Sequence, residues 1–131
     1  EDVAQKVRVI TDGKGVEVCF DGVGQATWNA SLDATARRGM IASYGNASGP
    51  VNGINLGILA AKGSLFLTRP TLFDYYRTAE ERAAGAQRVF SMLRQGTIKM
   101  TIGQRYPLEE AAQAHRDLEA RRTTGSTVLL P

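Results

Sequence analysis

Residues with chemically reactive side chains are few in this sequence and stand apart from one another. Cys19, the one cysteine, lies between Val18 and Phe20 in a predicted strand and is predicted to be a small buried side chain of the core. His115, the one histidine, lies on the apolar side of a predicted helix, where a partly buried and hydrogen-bonded side chain is favoured over a catalytic one. No group of His, Cys, Asp or Glu has metal-ligand spacing. We therefore predict no catalytic residue and no metal site in this chain.

Three turns that follow short apolar strands are better candidates for ligand binding. They are Asp21–Gly24, Tyr44–Ser48 and Thr68–Thr71. In a parallel sheet the carboxyl ends of the strands lie along one edge, and ligands of doubly wound α/β folds bind outside that edge. Such an edge would offer backbone N–H groups, small residues and one aromatic ring to a planar polar ligand. The alternative is that these segments are turns without a ligand.

Hydrophobic periodicity predicts that helices and strands alternate in the first part of the chain. The predicted helices are 2–11, 26–38 and 55–62, and the predicted strands are 16–20, 40–44 and 64–68. The second helix is predicted to end at Gly39 in a left-handed conformation, and Leu56, Leu59 and Ala60 are predicted to face inward from the third. The alternation predicts a parallel sheet, with a buried first strand.

A capping box, Thr78 with Glu81, predicts the start of the longest helix, which ends at Gly96. Ala83, Ala86, Phe90 and Leu93 are predicted to face inward from it. Beyond it, we predict a half-exposed strand at 98–102, a helix from Pro107 to about Arg121, and a last strand at 127–130. This tail does not continue the parallel pattern simply, and it is predicted to belong to another sheet.

Composition indicates an ordinary globular domain of 131 residues, 43% hydrophobic and 22% charged. The net charge of +3 is carried by scattered cations, which argues against a nucleic-acid partner. One cysteine excludes an internal disulfide bond, and the absence of a signal peptide and of a membrane-spanning apolar run predicts a cytoplasmic protein without a membrane partner. The chain begins at Glu1 without an initiator Met, so it is interpreted as the back part of something longer.

Several sequence blocks follow one another in the order and spacing of a known family. The chain closely resembles, over nearly its whole length, the C-terminal portion of the NADPH-dependent quinone oxidoreductases, the zeta-crystallin-like branch of the medium-chain dehydrogenase/reductase superfamily. The blocks are 15–24, 38–49, 55–59 and 63–70, then Tyr106-Pro107-Leu108, Ala114-His115, Thr124-Gly125-Ser126 and Leu129-Leu130-Pro131.

The resemblance implies an α/β fold, the C-terminal half of a Rossmann-type doubly wound parallel sheet. Residues 1–96 would form its second, nicotinamide-side half, and residues 97–131 would supply a helix and strands that complete a GroES-like substrate domain absent from this chain. No G-x-G-x-x-G strand–turn–helix is present, so the helix N-terminus that would hold a pyrophosphate is expected outside this chain.

By the same resemblance, the implied cofactor is NADPH, and its contacts carry over position by position. Gly22 and Val23 would lie near the nicotinamide-side ribose, although family members often have Ser where this chain has Gly22. The backbone after the third strand would meet the nicotinamide carboxamide, and Arg121 or Arg122 would reach a cofactor phosphate. The remaining implied contacts are Tyr44, Gly45, Asn46, Ala47 and Ser48 in the cleft, and Arg69, Pro70, Thr71 and Leu72 near the carboxamide.

The implied function of the complete protein is zinc-independent hydride transfer from NADPH to a quinone, in a homodimer formed through the edge strand Ser64–Thr68. Because half the cofactor site is absent, the chain alone is not expected to oxidise NADPH. Two alternatives stay open. One is another reductase or alcohol dehydrogenase of the same superfamily, and the other is a non-catalytic nucleotide-binding or dimerising fragment. The choice between NADPH and NADH is not determined by these residues.

Overall fold

The computed structural model describes residues 2–131, which divide into two compact units, one that ends at Tyr75 and one that spans Tyr76–Pro131. The elements of the first unit are α1 (Val3–Ile10), β1 (Val16–Asp21), α2 (Trp28–Ala34), β2 (Thr35–Ser43), α3 (Gly57–Ala61), β3 (Phe66–Thr68) and α4 (Leu72–Tyr75). Those of the second are α5 (Ala79–Arg94), β4 (Ile102–Pro107), a 3-10 turn (Leu108–Glu110), α6 (Ala111–Glu119) and β5 (Ser126–Leu130).

The first unit contains a parallel sheet in the order β1-β2-β3, as the alternation of helices and strands predicts. The register pairs Asp21 of β1 with Ser43 of β2, and Ala42 of β2 with Thr68 of β3. All three strands therefore end at the same edge of the sheet.

The core of this unit is a cluster of buried side chains from α2, the central strand and the residue before β3. Leu32, Ile41 and Leu65 are buried, and Trp28, Ile58, Leu59, Leu67 and Cys19 pack against them as partly buried side chains. Burial of each large side chain stabilises the fold by about 1.5–3 kcal/mol. The cluster fixes α2 and α3 on the sheet, and with them the turns that precede these helices.

The predicted boundary between α2 and β2 is wrong, because the helix ends at Ala34 and Thr35–Arg38 belong to the strand. Thr35 is fully buried, and its hydroxyl donates to the Ser31 carbonyl at 2.7 Å. The left-handed residue is Arg38, with φ 59°, and Gly39 is needed for another reason. A Cβ on Gly39 would lie 2.7 Å from Thr35 Cγ2, so close packing requires the glycine.

Two predictions of burial in the first unit are also wrong. Val18 and Phe20 of β1 are exposed, Phe20 by 73%, because β1 has a strand neighbour on only one side within residues 2–131. Leu56 and Ala60 are exposed as well, because α3 begins only at Gly57 and turns Ile58 toward the core instead.

The longest helix, α5, begins with the predicted capping box. The Glu81 N–H donates to Thr78 Oγ1 at 3.1 Å, and the Thr78 N–H donates to the Glu81 carboxylate at 2.9 Å. The predicted inward face is wrong, since α5 has no buried residue and Phe90 is 60% exposed. No helix or strand of the second unit makes extensive contact with α5.

The second unit contains a separate two-stranded parallel sheet, which confirms that the tail belongs to another sheet. Its first strand begins at Ile102, so the strand predicted at 98–102 is wrong, because Ile98 still closes the end of α5 by donating its N–H to the Met92 carbonyl at 3.3 Å. The last strand and the helix after Pro107 are confirmed. His115 is exposed and not partly buried as predicted, because the neighbouring Ala114 takes the buried position.

The boundary between the two compact units falls between Tyr75 and Tyr76, so α5 belongs with the tail. This boundary separates two groups of residues, each of which makes most of its contacts within itself. The division into 1–96 and 97–131 concerns which larger domain each segment completes, and it stays a prediction.

The joint between β1 and α2 is held by the carboxylate of Asp21, which is only 4% exposed. The N–H groups of Val23 and Gly24 donate to its Oδ1 at 2.9 and 3.0 Å. The Thr27 hydroxyl donates at 2.9 Å, and the Ser31 hydroxyl donates to Oδ2 at 2.7 Å. One carboxylate therefore ties the strand end, the turn and the first two turns of the following helix together.

Burial is the largest influence on the Asp21 carboxyl and acts to raise its pKa, but the hydrogen bonds from Gly24, Ser31, Val23 and Thr27 together hold the pKa below the ordinary value of 3.8. A lowered pKa means that the ionised carboxylate stabilises the folded state. This contribution is complete above the ordinary aspartate pKa and is lost as the pH falls through the lower, folded value.

We expect Asp21→Asn to lower the free energy of unfolding at neutral pH by about 2 kcal/mol, because charged hydrogen bonds at a buried site are lost. It should also remove part of the loss of stability below pH of about 4. Urea unfolding of the full-length protein across this pH range measures both effects. The matched control is Asp33→Asn, since Asp33 pairs with Lys62 on the surface and should contribute no more than about 1 kcal/mol. Equal effects of the two substitutions at neutral pH would contradict the role given to Asp21.

Candidate functional site

The structure brings three of the predicted segments together at the carboxyl ends of β1, β2 and β3. We call this the strand-end edge. It consists of Gly22 and Val23 after β1, Tyr44, Gly45, Asn46, Ala47 and Ser48 after β2, and Arg69, Pro70, Thr71 and Leu72 after β3.

The turns after β1 and β2 touch through backbone, which is why both carry glycine. The Tyr44 N–H donates to the Asp21 carbonyl at 2.9 Å. A Cβ on Gly45 would collide with the Gly22 carbonyl. A Cβ on Gly22 would lie 3.0 Å from the ring of Tyr44, so this ring occupies the space that a side chain at position 22 would take. The first two turns therefore form one continuous surface.

The side chain of Ser48 holds the turn after β2 against the turn after β1. Its hydroxyl donates to the Val23 carbonyl at 2.8 Å and accepts from the Ala26 N–H at 2.9 Å. The Ser48 N–H donates to the same Val23 carbonyl at 2.8 Å. Ser48 thus has a structural role at this edge.

Arg69 connects the end of β3 to the end of β2. Its Nη1 donates to the Ser43 carbonyl at 3.0 Å, to the Ser43 hydroxyl at 3.2 Å and to the Gly45 carbonyl at 3.2 Å. This guanidinium nitrogen therefore faces the protein, although the sequence predicts Arg69 as a residue beside the cofactor.

Several backbone donors of the strand-end edge are left for a ligand. Within residues 2–131, the N–H groups of Gly22, Asn46, Ala47 and Thr71 make no hydrogen bond. Beside them lies the aromatic residue Tyr44, which is 57% exposed. Open N–H groups next to an aromatic face suit a planar ligand with polar edges, such as a nicotinamide ring with its carboxamide.

Arg69 borders two of the cavities that open at this edge. The larger, of about 560 Å³, is lined by Tyr44, Arg69, Pro70, Thr71, Leu72, Phe73 and Tyr75. The smaller, of about 270 Å³, is lined by Trp28, Ser43, Asn46, Pro50, Val51, Ile54, Leu67 and Arg69. The larger cavity contains the predicted carboxamide segment and the exposed Tyr44 ring.

In the second unit, the structure distinguishes the two candidate arginines that follow α6. Arg122 donates to Asp117 Oδ1 at 3.2 Å, and the Tyr106 hydroxyl donates to Oδ2 at 2.9 Å. Arg121 is exposed, has φ 56°, and its side chain makes no hydrogen bond or ion pair within the described chain. Arg121 is therefore the one whose guanidinium is open to a ligand.

Hydrogen bonds around Asp117 shift the pKa values of Asp117 and of Tyr106. The nearby Gln113 side chain, followed by the Tyr106 hydroxyl, lowers the pKa of Asp117. The hydrogen bond to Asp117 raises the pKa of Tyr106. Both shifts follow from stabilisation of the charged carboxylate and the neutral phenol. The cluster holds Arg122 in a structural contact.

Neither a metal-ligand cluster nor a membrane-spanning helix is found among residues 2–131. No group of three or more His, Cys, Asp or Glu side chains among them could hold a metal ion. His115 lines a small cavity of about 180 Å³ with Ala114, Leu118, Thr127 and Leu129, none of which is a metal ligand of ordinary kind. No helix in this part of the chain is long and apolar enough to cross a membrane.

Sequence reasoning missed the residues that hold the edge in place, above all Asp21, Thr27 and Ser31. A signal was present, since Thr27 and Ser31 are four residues apart and so lie on one face at the start of α2. Their hydroxyls follow a carboxylate at the end of a strand. That pattern could have predicted a buried carboxylate under the turn.

Comparison with known proteins identifies the family. The sequence profile described as zinc-binding dehydrogenase matches residues 1–129. A quinone oxidoreductase of Pseudomonas aeruginosa is 56% identical over 131 residues, which is all of this chain and 40% of that protein. A 2-haloacrylate reductase of Burkholderia is 42% identical over 132 residues, all of this chain and 40% of that protein.

A solved structure agrees with these sequence matches. The crystal structure of Escherichia coli quinone oxidoreductase complexed with NADPH superposes with a TM-score of 0.91 at 47% identity, and the match covers all of this chain and 41% of that one. The chain thus spans about 40% of the length of the curated relatives it matches. Because the profile extends over residues 1–129, the chain belongs to the zinc-binding dehydrogenase family.

Proposed function

We propose that the full-length protein is an NADPH-dependent quinone oxidoreductase and that this chain contributes the nicotinamide-side part of its cofactor site. The observation that carries the proposal is the likeness, over the whole chain, to a quinone oxidoreductase whose structure contains NADPH. The open N–H groups and the exposed Tyr44 ring of the strand-end edge support it from this chain's own geometry.

We assign the strand-end edge to the nicotinamide half of the cofactor. Gly22 and Val23 would face the ribose, and the Tyr44–Ser48 turn would line the cleft. The backbone of Pro70–Leu72 would meet the carboxamide, and the Thr71 N–H is an open donor suited to its carbonyl oxygen. Arg121 would pair with a cofactor phosphate, for which a bidentate guanidinium is well suited.

When bound, NADPH supplies the hydride, and the quinone that accepts the hydride and a proton becomes a hydroquinone. The residues of this chain hold the ring in place and exclude water from one of its sides, and no residue here is assigned a proton transfer. Since residues 2–131 do not fit a zinc site, a zinc-dependent enzyme would need ligands from outside this chain. Zinc independence stays a prediction, as do the cytoplasmic location and the absence of nucleic-acid and membrane partners.

The second candidate is a reductase of the same family that acts on a different electron-poor double bond. The 42% identity to a 2-haloacrylate reductase favours it. The acceptor in such a reaction, like a quinone, has a carbon–carbon double bond activated by an adjacent carbonyl group. The cofactor edge described here would serve both reactions, so the acceptor must be tested directly.

We further propose that the full-length protein dimerises through the segment Ser64–Thr68. Strand β3 has a partner, β2, on only one side within the described residues, and Phe66 is 61% exposed on it. An edge strand with open backbone groups and an exposed aromatic side chain is a template for pairing with another strand. A second copy of the same strand, running antiparallel, would satisfy these groups.

The proposed reaction predicts that the full-length protein oxidises NADPH when para-benzoquinone is added, more efficiently than when a 2-haloacrylate is added. Loss of the absorbance of the reduced nicotinamide measures both rates. The 131-residue chain alone should not sustain turnover, because the pyrophosphate-binding turn is not part of it. A higher kcat/KM for the haloacrylate would favour the second candidate, and turnover by the chain alone would contradict the assignment of a half-site.

We expect Arg121→Ala to raise the Kd for NADPH by about tenfold to a hundredfold, because one charge-assisted contact with a phosphate is worth about 1.5–3 kcal/mol. Arg122→Ala is the matched control. It should change the Kd less than about twofold, because Arg122 pairs with Asp117 on the surface. Isothermal titration of the full-length protein with NADPH measures both. The opposite order of effects would mean that Arg122 contacts the cofactor.

We expect Phe66→Lys to convert the proposed dimer into a monomer, because a charge would replace the exposed ring on the pairing strand. Phe90→Lys is the control, since Phe90 on α5 is exposed to nearly the same extent, 60%. Light scattering of the full-length protein gives the mass of each variant. A dimer that survives Phe66→Lys would rule out pairing through this strand.

A further inference from the structure

The hydrogen-bond ladder between β2 and β3 stops short of the strand-end edge. It pairs only Met40–Ala42 with Phe66–Thr68. Beyond it, Pro70 has no N–H and cannot donate to β2. The backbone alone therefore does not fix the segment after β3 relative to the turn after β2.

The guanidinium of Arg69 supplies the missing connection. Its Nη1 donates to two acceptors on Ser43 and to the Gly45 carbonyl, at 3.0 to 3.2 Å. Gly45 is itself held from the other side, since the N–H groups of Tyr44 and Gly45 donate to the Asp21 carbonyl at 2.9 and 3.4 Å. A continuous set of hydrogen bonds thus runs across the ends of all three strands, and Arg69 is its only link to β3 beyond Thr68 among the bonds that the described residues make.

We propose that Arg69 is a positioning residue, which sets the separation between the Tyr44–Ser48 turn and the Pro70–Leu72 backbone and so fits the edge to a nicotinamide ring. The inference rests on the proposed cofactor site. It assigns Arg69 a role within the protein, in place of the position beside the nicotinamide carboxamide that the resemblance implies. Arg69 also lines two cavities of the edge, which are otherwise lined by different residues.

The positioning role of Arg69 and the phosphate contact proposed for Arg121 predict different responses to salt. An arginine that contacts a phosphate contributes less at high ionic strength, because the attraction is screened. A positioning arginine donates to carbonyl and hydroxyl oxygens of its own chain, so its contribution should not depend on salt. Arg121, proposed above as a phosphate contact, provides the comparison.

The first test uses the full-length protein without NADPH, so that it does not depend on the proposed function. Hydrogen exchange of the Tyr44, Gly45 and Ser48 amides is measured in wild type, Arg69→Met and Arg69→Lys. Removal of the guanidinium should speed exchange by about tenfold at Tyr44 and Gly45, because local opening becomes easier. Lysine keeps a charged donor, so Arg69→Lys should restore part of the protection from exchange. Exchange in this variant can still be measured if the Met variant does not fold. Arg88→Met on the exposed face of α5 is the control.

The second test is the Kd for NADPH at low and high salt. Arg69→Met should weaken binding by about tenfold at both salt concentrations, as expected for charged hydrogen bonds lost within the protein. The weakening caused by Arg121→Ala should shrink at high salt. Unchanged exchange at Tyr44 and Gly45, or a salt-dependent loss at Arg69, would overturn the positioning role. Failure of the wild-type protein to bind NADPH would overturn the proposed function, and the exchange result would still stand.

Discussion

The first unit depends on the hydrogen bonds that the buried carboxylate of Asp21 accepts. It stands at the end of β1 and accepts hydrogen bonds from the turn and from α2, including those of Val23 at 2.9 Å and Ser31 at 2.7 Å. Because a buried charge without partners is costly, the turn and the helix must keep the positions that satisfy it. The backbone carbonyl of Asp21 also accepts a hydrogen bond from the Tyr44 N–H, which joins the end of β1 to the end of β2.

Side chains and backbone have different tasks at the strand-end edge. Asp21, Ser48 and Arg69 use their polar atoms within the protein, whereas the N–H groups of Asn46 and Thr71 stay open. Such a division suits a cofactor that brings its own chemistry, because the protein has only to offer a surface of fixed shape and suitable donors. Under the proposed function, the side-chain contacts beneath the surface would determine how well the open N–H groups fit the cofactor.

The sequence overestimated burial wherever an apolar face finds no partner in the described residues. Phe20 on β1 and Phe90 on α5 are the main examples, exposed by 73% and 60%. Periodicity indicates which residues share a face of a helix or strand, but the burial of that face depends on what packs against it. This chain spans about 40% of the length of the curated relatives it matches. Its hydrophobic patterns therefore include apolar faces that the described residues leave exposed.

The sequence alone determined the alternation of helices and strands, the capping box of α5 and the turns that follow the first three strands, because these are set by local spacing and backbone conformation. It also placed the three turns at one edge, since parallel strands end together. Only the tertiary structure decided where α2 gives way to β2, because the strand begins where Thr35 pairs with Val16 of β1, a residue distant in the sequence. Likewise, only the fold showed that Arg69 donates to Ser43 and Gly45, residues 26 and 24 positions away, and that Arg122, not Arg121, pairs with Asp117.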